Sequence, residues 1–313
     1  MNIGQLEYLR ELYNTGSFSA AAQNMGVTQP ALSLQIQKLE EELDFKLVDR
    51  TKRPLQLTDE GMVFYEKSID ILQQIEHLKD LSMELGEQIR GVLRVGIIPT
   101  VAPYLVPLFS PGLKTDFPEL QIEVFELKTE EIIDELKMGK LDCGIISTPI
   151  SMGNVRIEPL FYEKFFAYVS PLHPLASDET VDVAKIDKDE IWYLDEGNCF
   201  QNQVNSICKI NYQKKNNQKL VYRSSSIESL RRIVEYENGI TFVPELATIN
   251  IPAEQEELIK SISNDEPVRE ISIVTVKKPA RERQVSALLQ SIRKSIPRRM
   301  QEKPAGQIVD TML

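Results

Sequence analysis

Cysteine and histidine are scarce in this chain, with three of the first and two of the second among 313 residues. Cys143, Cys199, Cys208, His77 and His173 show no C-x-x-C or H-x3-H spacing. Four ligands therefore cannot be gathered around one zinc ion, and neither a metal site nor a cofactor is expected. No run approaches the roughly 18 uninterrupted apolar residues that a membrane span needs. The opening MNIGQLEYLRELY interleaves charge with apolar positions, where a secretory signal would be continuously apolar. A cytoplasmic location is the expectation, and in that reducing setting the cysteines rest as thiols. Basic residues are also in deficit, 36 against 47 acidic ones for a net charge of −11, which alone argues against a protein that coats nucleic acid.

Local pattern overrules that sum. Ile3, Leu6, Leu9 and Leu12 repeat at helical spacing behind Asn2, with Gln5 placed for a capping box. Gly16 ends that helix, Ser17 or Ser19 caps a second, and Gly26 stops it. A third starts at Thr28, with Pro30 in its first turn and Ala31, Leu32, Ile36, Leu39 and Leu43 as its buried face. Two short helices joined at Met25-Gly26-Val27 form a helix-turn-helix, whose second helix fits the DNA major groove. Thr28, Gln29, Pro30, Ser33, Gln37 and Lys38 lie at its start or outward face, short or amide side chains suited to base edges and phosphates.

FKLVDRTKRPLQLT then predicts two strands, Lys46–Val48 and Leu55–Leu57, around a basic turn of Arg50, Lys52 and Arg53: a wing. Residues 1–58, the expected winged helix-turn-helix domain, hold six basic and seven acidic side chains, so nearly all the negative excess lies elsewhere. The alternative for this region is a small helical bundle with a solvated basic loop. From Thr58, apolar residues Phe64, Ile71, Ile75, Leu78, Leu81 and Leu85 predict a long linker and dimerisation helix over 59–88. A palindromic DNA site requires a two-fold dimer, so seam and helix-turn-helix support one another.

Beyond Gly91 strands and helices alternate. VLRVGII, LQIEVFEL and LDCGIIS are strands separated by helices over Tyr104–Leu113 and TEEIIDELKMG, the latter capped by Thr129; this is a parallel β-α-β-α-β unit. KFFAYVS, a helical region from Asn198, LVYRSS, SIESLRRIVEYENG and ITFVP form a second unit, and ISIVTVKK with VSALLQSIRKS returns to the first. The regulatory domain is thus expected over 89–300, with lobe I at 91–161 and 268–300, lobe II at 162–267, and ligands favoured between them. A loose tail follows at 301–313. Cys143 is expected as a buried core thiol, and both histidines as surface residues.

Cys199 and Cys208 share the polar stretch LDEGNCFQNQVNSIC. They are either two small inert residues or a switch. Gly197-Asn198 breaks the preceding strand and offers Asn198 as a cap, while Phe200, Val204, Ile207 and Cys208 share one helical face. Cys199 then occupies the first helical position, where the dipole favours a thiolate. Cys208 would lie ~14 Å up the axis at ~1.5 Å per residue, whereas a disulfide needs Cα atoms roughly 4.4–6.8 Å apart. The helix must melt or fold back before a bond closes.

The order of helix-turn-helix, wing, linker helix and two-lobed domain resembles the LysR-type transcriptional regulators. FSAAAQNMGVTQPALSLQIQKLEEELDFKLVDRT is similar to their N-terminal signature throughout. GIIPTVAPYLVP, GKLDCGI, LDEGNC with its second cysteine at 208, and SSSIESLRRIVEYENGITFVP resemble more narrowly the family's peroxide-sensing members. The likeness runs from Met1 to about Ile296. It implies an α/β architecture: a winged helix-turn-helix and linker helix, then a two-lobed, periplasmic-binding-protein-like effector domain.

It also implies that Cys199 is the peroxidatic cysteine and Cys208 the resolving one. Thr100 and Thr129 match residues lining the peroxide pocket, and Arg269 matches an arginine near the reactive thiol. Asn198 stands where the family often has histidine, which places a proton relay at that position in doubt. The implied partners are a palindromic double-stranded DNA operator, RNA polymerase, hydrogen peroxide and a thiol reductant such as a glutaredoxin or thioredoxin. Homodimers pairing into a homotetramer, rather than an enzyme, complete the expectation. The alternatives are a regulator answering a small metabolite between the lobes, its cysteines inert, and a thiol peroxidase, for which turnover would leave the DNA-binding half unexplained.

Overall fold

The computed structural model describes residues 1–84, 88–150, 155–195, 199–208, 222, 224–263, 266–277, 279, 281–304 and 306–312. Two compact units result, Met1–Glu87 with Lys137–Lys140, and Gln88–Leu136 with Leu141–Leu313.

The first unit contains α1 (Ile3–Thr15), α2 (Phe18–Asn24), α3 (Gln29–Leu43), β1 (Val48–Asp49), β2 (Gln56–Leu57) and α4 (Asp59–Glu84). Local chemistry starts each helix. The Asn2 and Gln5 side chains exchange bonds with each other's N–H at 3.0 and 2.9 Å, Ser17 accepts from the Ala20 N–H, and Thr28 accepts from the Ala31 N–H. Gly26, at φ +67°, makes the left-handed turn between α2 and α3 that a β-carbon would strain. Leu6, Leu9, Leu12, Ala21, Leu32, Ile36 and Leu39 close the core. Ala31, expected on that buried face, is instead exposed, while Leu32 beside it is fully buried. The wing strands are two residues each and begin later than expected, pairing Val48 with Leu57 and Asp49 with Gln56. Thr58 locks the wing to α4, donating to the Lys46 carbonyl and accepting from the Gly61 N–H. Along α4, Ile71 and Leu78 stand 43% and 69% exposed, one heptad apart.

The second unit contains β3 (Gly91–Ile97), α5 (Ala102–Asp116), β4 (Leu120–Glu126), α6 (Thr129–Lys137), β5 (Cys143–Thr148), β6 (Val155–Val169) and β7 (Thr180–Asp182). It continues with α7 (Cys199–Ile207), α8 (Ile227–Tyr236), β8 (Ile240–Pro244), α9 (Ala253–Glu256), β9 (Ile259–Ser263), β10 (Val268–Val276), α10 (Glu282–Ser295) and α11 (Arg298–Gln301). As the alternating pattern predicts, β3 is parallel to β4 and β5. β10 returns antiparallel between β5 and β6, and β6 continues on to pair with β8 and β9. Two apolar cores form on this sheet, one around β3, β5, α5, α6 and α10, the other around the end of β6, β8 and α8. The expected lobe border between 161 and 162 falls inside β6, which feeds both: Leu160 and Phe161 enter the first core, Phe165 and Ala167 the second.

Three further differences are local. LVYRSS is not a strand at Tyr222, Ser224 or Ser225, and its other residues lie outside those described. His173 is not a surface residue: 6% exposed, its Nδ1 accepts from the Leu175 N–H and its Nε2 lies 3.1 Å from Glu190. The tail is not loose. Ile308 bridges Val268 in parallel, with N–H to carbonyl bonds from Val268 to Gln307 at 3.2 Å and from Val309 to Val268 at 2.8 Å. Thr311 is fully buried and donates to the Pro149 carbonyl. A β-carbon on Gly306 would stand 2.7 Å from the Glu266 carbonyl, so the chain passes there only as glycine.

Candidate functional site

Each unit carries its own candidate surface. In the first, Thr28, Gln29, Pro30, Gln37 and Lys38 are exposed at the start and outer face of α3, with Arg50, Lys52 and Arg53 exposed on the wing. Ser33 is half-buried and accepts from Arg50 at 3.5 Å. The Arg50 guanidinium also lies 5.1 Å over the Phe18 ring and 3.7 Å from Glu40. Arg53 donates to the Arg50 and Lys52 carbonyls, holding the basic turn in shape. Glu40 is a residue the sequence pattern did not single out: 2% exposed, it accepts from the Leu47 and Val48 N–H groups and from Lys46. A carboxylate one turn beyond Ile36 on the core stripe was the available signal. It ties the wing to the recognition helix, fixing the spacing of wing cations and groove-facing side chains.

In the second unit Cys199 begins α7, as its spacing predicts, and Asn198, the expected cap and pocket residue, lies outside the described residues. The helix lies across both cores: Cys199 belongs to the first, while Phe200 and Val204 belong to the second and Cys208 packs against it. Cys208, one residue beyond α7, still donates its N–H to the Val204 carbonyl at 2.9 Å. Neither sulfur is bridged, and the helical rise places the two α-carbons about 14 Å apart along the axis.

Thr129 and Arg269 reach the Cys199 side. Thr129 does not cap α6 with its side chain; it is the first helical residue, and its hydroxyl donates to the Cys199 sulfur at 4.0 Å. Arg269, fully buried on β10, faces Glu163 directly across on β6. Its Nε donates to Glu163 at 2.7 Å, its Nη1 to the Thr100 hydroxyl at 3.1 Å and its Nη2 to the Thr100 carbonyl at 3.2 Å. The guanidinium carbon lies 4.9 Å from the Phe200 ring centre. Thr100 thus holds the guanidinium that acts on Cys199. Glu163, the residue just before KFFAYVS, went unrecognised, although an acid between the aromatic strand residues Tyr162 and Phe165 is a signal of a buried partner.

The thiolate expected at the helix start is not favoured. Burial pushes the Cys199 thiol up, while Arg269, the Thr129 hydroxyl and the Phe200 N–H pull it back only in part. Cys143 is likewise pushed up by burial within β5. Both thiols keep their protons in the folded chain at a pH where the unfolded chain has lost them. Stability therefore falls as pH climbs through the window above the ordinary thiol value. Urea midpoints of wild type are expected to drop between about pH 8 and about pH 10 by more than those of Cys143→Ala, and equal drops would contradict this assignment.

The model of the bacterial regulatory helix-turn-helix protein, lysR family, matches residues 3–62, and that of the LysR substrate binding domain matches residues 86–297. A hydrogen peroxide-inducible genes activator of Haemophilus influenzae is 36% identical over 275 residues, covering 88% of this chain and 90% of that protein. The DNA-binding transcriptional dual regulator OxyR of Escherichia coli K12 is 35% identical over 257 residues, 82% of each chain. Among solved structures, a full-length cysteine-to-aspartate variant of OxyR from Pseudomonas aeruginosa superposes with a TM-score of 0.79 at 28% identity, covering 97% of this chain and 99% of that one. Reduced OxyR from Porphyromonas gingivalis covers 70% of this chain and all of that one, with a TM-score of 0.63 at 30% identity. With both family models matched in the expected order and a common fold across nearly the whole length, the chain belongs to the LysR family of transcriptional regulators.

Proposed function

We infer that this regulator binds DNA through α3 and the wing and controls oxidative-stress genes in response to hydrogen peroxide, sensed at Cys199 and resolved by Cys208. The observation that carries this reading is the placement of Cys199, buried at the start of α7 against Thr129 and the side of Arg269, with Cys208 at the far end of the same helix on a different core. Peroxide entering beside Cys199 meets the Thr129 hydroxyl and the Arg269 positive charge. The sulfur attacks one oxygen, the O–O bond breaks, and the departing oxygen leaves as water with the thiol proton, giving a sulfenic acid. Attack by the Cys208 sulfur then releases a second water and forms the disulfide, which requires α7 to unwind.

The unwinding is the output: a helix whose ends anchor in two cores cannot be rebuilt without altering the surfaces around it. A thiol reductant resets the pair, and a homotetramer built from α4-paired dimers delivers the change to operator DNA and RNA polymerase. Cytoplasmic placement follows from the DNA partner. Cys143, sealed in β5, takes no part.

Intact mass and thiol titration after one equivalent of peroxide test the reading. Wild type is expected to lose two hydrogens and two thiols, and Cys199→Ser neither. Unchanged thiols in wild type would overturn it in favour of a regulator answering a small metabolite, and many turnovers per chain would point to a peroxidase.

A further inference from the structure

Gln203 is fully buried in the middle of α7, between the two cysteines. Its amide Nε2 donates to the Val309 carbonyl at 2.9 Å and to the Ser147 hydroxyl at 3.3 Å, while its Oε1 finds no partner among the described residues. The neighbouring Asn202 donates to the Thr311 carbonyl at 3.3 Å. Both acceptor carbonyls belong to the tail, which is itself pinned to β10 at Val268 and through Thr311 to Pro149. The amide spends its donors on partners outside α7, tying the middle of the helix to the tail and to β5, and an apolar side chain at this position would leave both partners without that bond. The amide is half-satisfied, so opening α7 loses two hydrogen bonds and relieves one unpaired acceptor.

We propose that Gln203 is the positioning residue of the switch, using the 306–312 segment as an intramolecular strap that holds α7, and with it Cys199, in the closed arrangement until the disulfide forms. This rests on the peroxide-sensing role of Cys199 and Cys208. The strap acts on the second chemical step alone. Sulfenic acid formation needs α7 closed, with Cys199 beside Thr129. Disulfide closure needs it open, and its rate scales with the population of opened helix. Each strap bond shifts that population by roughly two- to tenfold. Neither strap residue touches peroxide, so the first step is left alone while the closed form still predominates.

The test follows the two steps separately in the full chain, in Gln203→Leu and in a chain ending after Pro304. Sulfenic acid formation is read by a dimedone-type trap, closure by loss of the second thiol. Closure is expected to speed up about tenfold in either variant, with the first step within twofold of wild type and the disulfide potential lowered by ~30 mV, the equivalent of tenfold for a two-electron couple. Combining the two changes is expected to add less than the product of the separate effects, because both remove the Gln203–Val309 bond. Should truncation impair folding, Gln203→Leu with Asn202→Ala carries the same expectation. If wild type closes but the variants close at its rate, the strap is refuted and the sensing role stands. A fall in both steps together would mean Gln203 serves only to hold the fold. Failure of wild type to form the disulfide at all would remove the sensing role instead.

Discussion

Arg269→Leu is expected to destabilise the second unit by about 3–5 kcal/mol, and Glu163→Leu in the same chain to restore most of the loss. Both side chains of this pair are fully buried, with a closest approach of 2.7 Å. Removing one partner strands the other charge away from water; removing both takes that charge away, leaving only the lost bonds to Thr100 and from the Leu246 N–H. Exposed pairs such as Arg94–Glu123 would show effects of only about 0–1 kcal/mol. Burial pushes the Glu163 carboxyl up, opposed by Arg269 and the Leu246 N–H, so its ionised form depends on the arginine remaining. The double variant separates fold from chemistry. Stable but lacking the guanidinium, it should react with peroxide about 100-fold more slowly, the usual loss for one preorganised donor. Urea unfolding and stopped-flow oxidation read the two effects. Wild-type stability in Arg269→Leu would contradict the pairing, and a wild-type rate in the double variant would remove Arg269 from the sensing site.

The second large effect concerns α4. Ile71→Glu with Leu78→Glu should leave the first units unpaired and weaken binding to a palindromic operator duplex by about 100-fold or more, the avidity gained by linking two half-sites. A helix that presents Ile71 and Leu78 to water at heptad spacing while burying Tyr65, Ile69 and Leu72 has a second apolar stripe calling for a partner. Sedimentation and fluorescence anisotropy would report the change. Undiminished affinity would place dimerisation elsewhere on the chain.

Local chemistry made the first unit legible. The Asn2–Gln5 capping box, Ser17, Thr28 and Thr58 act over three or four residues, and the structure uses each as its neighbours in sequence require. Cys199 at the first position of α7 was legible for the same reason. What sequence concealed is long-range. The Thr129 hydroxyl finds its acceptor 70 residues away, and Arg269 finds Glu163 at a separation of 106, so spacing could not assign either. The thiolate expectation failed because a helix terminus acts within one turn, whereas burial depends on both cores. The tail misled through composition: its polar, proline-containing sequence lacks apolar periodicity, yet its backbone carbonyls supply the contacts.

The shared strand sets a mechanical limit on all of this. β6 runs fifteen residues, with a register shift against β10 at Leu160, and serves both cores at once, so it acts as a splint across the place where two separate halves would otherwise fold shut like jaws. A unit braced in this way resists a signal that depends on clamping around the stimulus. A message carried by refolding α7 needs no such clamping, so an oxidant too small to be gripped is a suitable stimulus.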